Sequence, residues 1–302
     1  MKPEFLTPKG VAKLLPNRAP EAHKGKFGHL MVVAGSRGMT GAAGMVGWAA
    51  MRSGAGLVTV AVPASEQRLV AGIRPEYMTL PLTDTAEGTL HPRGIQELRD
   101  QIRGRGIDAL AVGPGLSTHP RTVEAVLELL GEADIPTVLD ADGLNALAAV
   151  DRTTVEALFK ARRAPSVLTP HPGEAARILR TNIQHIQRNR VASAVQIARE
   201  LGVVCVLKGR ETVIADARSA FVNPTGNPGL AKGGTGDVLT GILSGLWVQR
   251  PDKGWAAPAS CLAAYLHGLA ADLAVQTVTE HSLLPSDVIE ALPRAFQKAA
   301  AR

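Results

Sequence analysis

Cysteine is scarce in the 302-residue chain. There are only two, Cys205 and Cys261, both in apolar surroundings, and there is no CxxC pair. This argues against a disulfide framework and against a structural zinc site, and both thiols read as core residues. Aromatic residues make up 3% of a chain that is 45% hydrophobic, so the core has to be built from Ala, Leu, Val and Ile. Lys and Arg number 33 against 27 Asp and Glu, a net charge of +6. That excess suits anionic ligands such as nucleotides. No dense basic run is interleaved with aromatics, so nucleic acid is not an expected partner. Clean hydrophobic runs of membrane-spanning length are also missing. The longest, about 256–275, contains His267 and Asp272 and reads as a buried helix. Residues 1–28 are polar and Pro-rich without a signal-peptide core, so the expectation is a cytoplasmic protein with no membrane partner. Neither GxxxxGK[ST] nor a GxGxxG after a strand-like run occurs, which disfavours a P-loop and hydride transfer from a Rossmann-bound cofactor.

What is present is alternation. Short runs at 30–34, 57–62, 109–112, 137–139, 166–168 and 203–207 are rich in Val, Leu and Ala, and most are apolar at consecutive positions, as strands buried on both faces should be. Helical patterns at 42–52, 93–103, 121–130, 189–201 and 238–248 lie between and beyond them. Repeated βα units predict one doubly wound sheet with helices on both faces. The pair 212–214 and 220–222, joined by a polar turn, reads as an antiparallel hairpin at the sheet edge. With no internal linker, the expected organisation is a short arm over 1–28, where Thr7-Pro8 caps a small helix, and a single domain over 29–302.

Chemically suggestive residues follow the apolar runs: Gly35-Ser36, Gly113-Pro114-Gly115, Asp140-Ala141-Asp142, Thr169-Pro170-His171 and Lys208-Gly209. In an open parallel sheet, ligands bind outside the carboxyl ends of the strands, so these loops should line one crevice. The densest signal is 223–237, Asn-Pro-Thr-Gly-Asn-Pro-Gly-Leu-Ala-Lys-Gly-Gly-Thr-Gly-Asp, which runs into the 238–248 helix. Gly233, Gly234 and Gly236 let the backbone turn tightly, and the free N–H groups at the helix start make an anion hole suited to phosphate. Asp237 is either an ordinary first-turn acid or a carboxylate with a task beside that phosphate, such as taking a hydroxyl proton.

The stretch 223–241 resembles the signature of the ADP/ATP-dependent NAD(P)H-hydrate dehydratases, members of the ribokinase-like, or carbohydrate-kinase-like, superfamily. Other pieces agree in order: His23-Lys-Gly-x-x-Gly28, Ala34-Gly-Ser36, Gly41-Ala-Ala43, Gly113-Pro-Gly115, Leu139-Asp-Ala141, Leu168-Thr-Pro-His-Pro-Gly-Glu174, Val206-Leu-Lys-Gly209, Thr212 and Tyr265-Leu-His-Gly268. The resemblance covers about 20–295. It implies a three-layer α/β/α sandwich around a mainly parallel central sheet. It also implies dehydration of the S-form hydrates of NADH and NADPH with ADP, alternatively ATP, as co-substrate and Mg2+ as cofactor. It further implies a homo-oligomer, often a tetramer. The epimerase that many relatives carry in an additional N-terminal domain is expected to be a separate protein.

Carried over residue by residue, the resemblance assigns nucleotide contacts to Lys208, Gly209, Arg210, Glu211, Thr212 and Gly236. It assigns contacts with the nicotinamide hydrate to Ala43, Gly115, His171 and Asp237, with Ala42 the neighbouring alternative to Ala43. Asp237 is the expected base, and Gly234, Thr235 and Gly236 offer N–H groups to the transferring phosphoryl group. Each has a plainer reading beside it. Lys208 either neutralises phosphate or is a solvated strand-end lysine. His171, held between Pro170 and Pro172, either contacts substrate or pairs with turn backbone. Glu174 either reaches Mg2+ through water, with Asp140 and Asp142 as weaker candidates, or is a first-turn helix acid. His23, Lys24 and Lys26 either reach a pyrophosphate or form a solvated basic arm. His267 reads as a satisfied core or interface histidine. Two functions compete with the dehydratase: a ribokinase-like small-molecule kinase, and a catalytically silent nucleotide-binding protein.

Overall fold

Strands that are apolar at most positions have to be covered on both faces, and the central strands of this chain are. The computed structural model describes residues 2–301. Its ten strands are β1 (Glu4–Phe5), β2 (His29–Val33), β3 (Leu57–Pro63), β4 (Met78–Leu82), β5 (Ala109–Val112), β6 (Thr137–Leu139), β7 (Ser166–Leu168), β8 (Val204–Leu207), β9 (Val213–Ala215) and β10 (Ala220–Val222). They form one sheet in the order β1-β10-β9-β8-β7-β6-β5-β2-β3-β4. All pairings are parallel except β8–β9 and β9–β10.

Successive side chains of the central strands go to opposite cores. Met31, Val33, Leu110, Val112, Leu139 and Leu168 pack with residues of the helices Arg93–Arg105, Pro120–Glu132, Asp142–Ala148 and Arg190–Leu201. On the other face Val138, Val167, Val204 and Val206 pack with the helices Thr235–Trp247, Lys253–Ala274 and Pro285–Ala300. Leu30, Val32, Ala109 and Ala111 meet the helix Thr40–Arg52 there. The result is a three-layer α/β/α sandwich. Chain order reverses between β5 and β2, and such a switch point is where an open sheet of this kind binds its ligand, outside the carboxyl ends of the strands.

The 212–214 and 220–222 hairpin is antiparallel as expected, but it does not end the sheet. β1 from the N-terminal segment pairs parallel with β10 beyond it. Thr7 caps the short helix Pro8–Ala12, whose Val11 is buried in the adjacent core, so this segment is docked along the sheet. The opposite edge strand, β4, has no counterpart in the apolar-run pattern. Of its residues only Leu82 is buried, and they include Pro81, which cannot donate to a ladder and is tolerated because one side of an edge strand is free. Among the described residues, no helix is long and apolar enough to cross a membrane.

Candidate active site

The carboxyl ends of β2, β5, β6, β7 and β8 are tied together by the residues that follow them. Gly35 N–H donates to the Pro114 carbonyl at 2.8 Å, and Ser36 Oγ to the Gly115 carbonyl at 2.8 Å. Gly113 has φ +130°, and a Cβ there would stand 1.8 Å from the Asp140 carbonyl oxygen, so only glycine lets these two loops close on each other. Lys208 N–H donates to the Pro170 carbonyl at 2.8 Å.

Asp140 is the hub. It is 1% exposed; the Lys208 ammonium lies against its Oδ1, and Thr240 Oγ1 donates to its Oδ2 at 2.7 Å. Burial works against the Lys208 charge, but Asp140, Glu174 and Asp237 together outweigh it and hold the ammonium's pKa above its ordinary value. Lys208 is therefore a paired, largely buried lysine, and the solvated strand-end reading does not hold. The same ammonium lies 3.9 Å from Glu174 Oε2.

Asp237 sits in the first turn of the helix Thr235–Trp247. Burial, and then repulsion by Asp140 and Asp142 only partly relieved by Lys208, raise its pKa to about 7. Gly234, in the left-handed region at φ +95°, starts that helix without any side-chain cap; Thr235 N–H makes a long hydrogen bond to the Lys232 carbonyl at 3.4 Å, and the Gly236 N–H remains available. A Cβ at Gly236 would meet Lys208 Nζ at 3.4 Å and Asp140 Oδ2 at 3.8 Å, which places this glycine beside the ion pair. Thr235 uses its hydroxyl inwardly, donating to the Leu230 and Lys232 carbonyls, each at 2.8 Å. A carboxylate that is half-protonated near neutrality, exposed N–H groups and a lysine are thus assembled at one helix start. That set is suited to proton removal beside a transferring anion.

His171 caps the helix Pro172–Ile178. Its Nδ1 accepts from Gly173 N–H at 2.9 Å and from Glu174 N–H at 3.3 Å. Glu174 Oε2 accepts from His171 N–H at 2.7 Å, completing a capping box. The backbone-pairing alternative for His171 is therefore realised, and its Nε2 faces Glu174 Oε1 at 3.3 Å. Burial first, then the charges of Lys208 and Arg177, lower the imidazole's pKa, whereas burial raises that of Glu174 to about 7. Ala42 and Ala43 separate clearly. Ala42 Cβ lies 3.0 Å from where a Gly115 Cβ would be, whereas Ala43 is fully buried against Gly35. Ala42 is the one that faces Gly115.

The turn after Lys208 is more open. Gly209, Arg210 and Glu211 are exposed, and Thr212 Oγ1 donates to the Gly209 carbonyl at 3.0 Å. Arg190 was not read from sequence, and Asp140 was read for its place but not for its role as the partner of Lys208. Arg190 backs this turn, donating to the Leu207 and Lys208 carbonyls at 3.0 and 3.3 Å. Asp140 was weighed only as a metal candidate; its place after an apolar run was the available signal. His267 is buried, as a core histidine should be: burial lowers its pKa to about 4 against a hydrogen bond with the Thr235 backbone, and its Nε2 has no partner among the described residues.

The residues were also tested for Mg2+. Among the described residues no group of three or more His, Cys, Asp and Glu is placed to hold a metal. Glu174 is engaged in its capping box. The donor set fits a cation carried by nucleotide phosphates and met through water, not an all-protein cage. A groove of about 870 Å3 lies elsewhere, among Phe5, Val11, Leu14, Val203, Val204 and Ala257 beside the N-terminal segment, and includes none of the candidate residues.

Comparison with known proteins bears on this site. The family described as NAD(P)H-hydrate dehydratase matches residues 30–294. The bifunctional NAD(P)H-hydrate repair enzyme Nnr of Moorella thermoacetica is 43% identical over 290 residues, which are 96% of this chain and 53% of that one. The chain thus spans about half the length of the bifunctional relatives it matches. The ADP-dependent (S)-NAD(P)H-hydrate dehydratase of Bacillus subtilis is 36% identical over 299 residues, 99% of both chains. The crystal structure of the ADP/ATP-dependent NAD(P)H-hydrate dehydratase from Bacillus subtilis, co-crystallized with ATP/Mg2+, superposes with a TM-score of 0.84 at 35% identity over 99% of each chain. The fold shared with these proteins is the ribokinase-like sandwich expected from the sequence.

Proposed function

The chain belongs to the NAD(P)H-hydrate dehydratase family, and on that premise we propose that it restores NADH and NADPH from their S-form hydrates, converting ADP to AMP and phosphate. The observation that carries this reading is Asp237, a carboxylate raised to about 7 in the first turn of an uncapped glycine-led helix beside Lys208.

Hydroxide is a poor leaving group, and phosphorylation of the ring hydroxyl makes it a good one. Asp237 takes the hydroxyl proton as the hydroxyl oxygen attacks the terminal phosphorus of the nucleotide, and the bond to the leaving AMP breaks. N–H groups of Gly234, Thr235 and Gly236, with Lys208, receive the charge that develops on the transferring group. The adjacent ring nitrogen then expels phosphate, and the neighbouring ring carbon releases a proton to restore the double bond. Overall the hydrate's water leaves as part of phosphate. Lys208, Gly209, Arg210, Glu211, Thr212 and Gly236 hold the nucleotide. Ala42, Gly115 and His171 wall the hydrate, with Ala43 beneath them. Mg2+, carried by the phosphates and approached by Glu174 through water, supplies charge neutralisation when bound. We place the protein in the cytoplasm as a homo-oligomer, a tetramer by family resemblance, served by an epimerase that interconverts the two hydrate forms.

The test is to incubate hydrated NADH or NADPH with the protein, Mg2+ and either ADP or ATP, and to follow the reduced-nicotinamide absorbance. Recovery of absorbance with stoichiometric release of phosphate is expected. No recovery with either nucleotide would overturn the reading. A stable phosphate ester detected by mass spectrometry would turn it to the small-molecule kinase.

A further inference from the structure

The loop that leads into the helix Thr235–Trp247 is stapled along one stripe of the helix Lys253–Ala274. Asn223 Nδ2 donates to the Ala264 carbonyl at 3.0 Å, and Thr225 Oγ1 to the Tyr265 carbonyl at 2.9 Å. Gly268 permits this approach, since a Cβ there would stand 2.3 Å from Thr225 Oγ1. One turn further, Asp272 Oδ2 accepts from Gly226 N–H and its Oδ1 from Asn227 Nδ2, both at 3.0 Å. Positions 264, 265, 268 and 272 follow the three- and four-residue spacing of a single helix face.

The contacts continue without a break to the anion-facing helix start. Gly226 has φ +108°, a backbone conformation that suits glycine and exposes its N–H to Asp272. Asn227 Oδ1 accepts from Gly229 N–H at 3.1 Å and so caps the short 3-10 turn Pro228–Leu230. The Leu230 carbonyl then accepts from Thr235 Oγ1 at 2.8 Å. Asp272 is the acidic side chain of this relay, and it holds two donors that belong to the loop, not to its own helix.

We propose that Asp272 is a positioning residue for the phosphoryl-binding end of the helix Thr235–Trp247, acting through Gly226 and Asn227 and touching neither nucleotide nor hydrate. What is gripped there rests on the function proposed above; the clamp rests on the hydrogen bonds alone. A carboxylate offers acceptors in both directions, as two converging donors require. An amide at this position sets a donor against a donor whichever way it is turned.

The experiment compares the wild type with Asp272→Asn, Asn227→Asp and the double variant. The readouts are turnover of hydrated NADH at varied ADP, ADP affinity by calorimetry, melting temperature, and hydrogen exchange over 226–236. Asp272→Asn is expected to lower kcat/KM for ADP by about tenfold, the scale of one charge-assisted hydrogen bond, and to speed exchange in 226–236. Asn227→Asp is expected to do at least as much, because it sets two carboxylates face to face. The double variant restores the pattern: the new amide at 272 accepts from Gly226 N–H and donates to the new carboxylate at 227. Its kcat/KM and exchange should return to within about threefold of wild type. Single variants that match the wild type in turnover and ADP affinity would overturn the proposal. So would a double variant no better than the worse single. If the wild type fails to turn over the hydrate, the proposed function falls, while ADP affinity and exchange across the same four proteins still decide the clamp.

Discussion

Lys208 and Asp140, 68 residues apart in sequence, form a buried ion pair at the carboxyl ends of β8 and β6, the strands on either side of β7, with Thr240 donating to the far oxygen of Asp140 at 2.7 Å. Breaking such a pair from one side strands a charge in a site that excludes water. Lys208→Met should destabilise the fold by about 3–5 kcal/mol in urea denaturation, because Asp140 loses its counter-charge. Adding Asp140→Asn should recover a large part of that loss. A double variant as unstable as the sum of the singles would show that the two do not act as a pair.

Asp237→Asn should fold and bind ADP within about threefold of wild type. Its turnover should fall by roughly 10²–10⁴, the span of a lost general base. The measurement is the initial rate of reduced-nicotinamide recovery beside calorimetric ADP affinity. Near-normal turnover would remove Asp237 as base.

The raised pKa of Asp237, about 7, has consequences for rate and for stability. The base acts when deprotonated, so kcat/KM should fall about tenfold per pH unit below the pH where Asp237 protonates. Stability has the opposite slope. An unfolded aspartate titrates near 3.9, so the folded state binds the proton more tightly. The contribution is complete below about pH 4 and is lost as pH rises through about 7. The melting temperature of Asp237→Asn, measured against wild type without metal or nucleotide, should therefore gain on it between pH 4 and 7. A constant difference would mean that the carboxyl titrates normally.

Two glycines of the crevice should respond differently to alanine. At Gly113 a Cβ would fall 1.8 Å from the Asp140 carbonyl oxygen with φ +130°, so Gly113→Ala should cost at least about 3 kcal/mol in denaturant unfolding. At Gly236 φ is not in the left-handed region, and the nearest contact is Lys208 Nζ at 3.4 Å, an ordinary van der Waals approach. Gly236→Ala should leave the unfolding midpoint nearly unchanged and weaken ADP binding by tenfold or more. The reverse ordering would displace Gly236 from the anion site.

Much of the architecture was legible because the central strands are covered on both faces. Continuous apolar runs at 109–112, 137–139 and 166–168 coincide with β5, β6 and β7 to the residue. β4 escaped because an edge strand needs neither a continuous apolar run nor a full ladder, and Pro81 argued against it. Short helices such as Ile183–Arg188 escaped because one or two turns carry too little periodicity to stand out. Within the site, residues that follow strands were found by position alone. Their partners were not, because no local pattern foretells that Lys208 meets Asp140 or that Asp272 meets Gly226.

By itself the sequence determined the layers, the strand-end placement of the crevice and the glycine-led helix start, since hydrophobic period and glycine chemistry are local properties. Only the tertiary structure decided the states of the charged groups. It buried Asp140, paired it with Lys208, left Asp237 and Glu174 close to neutral pKa values, and turned His171 into a helix cap. A side chain's charge depends on the dielectric and the neighbours around it, and packing brings those neighbours from distant parts of the chain.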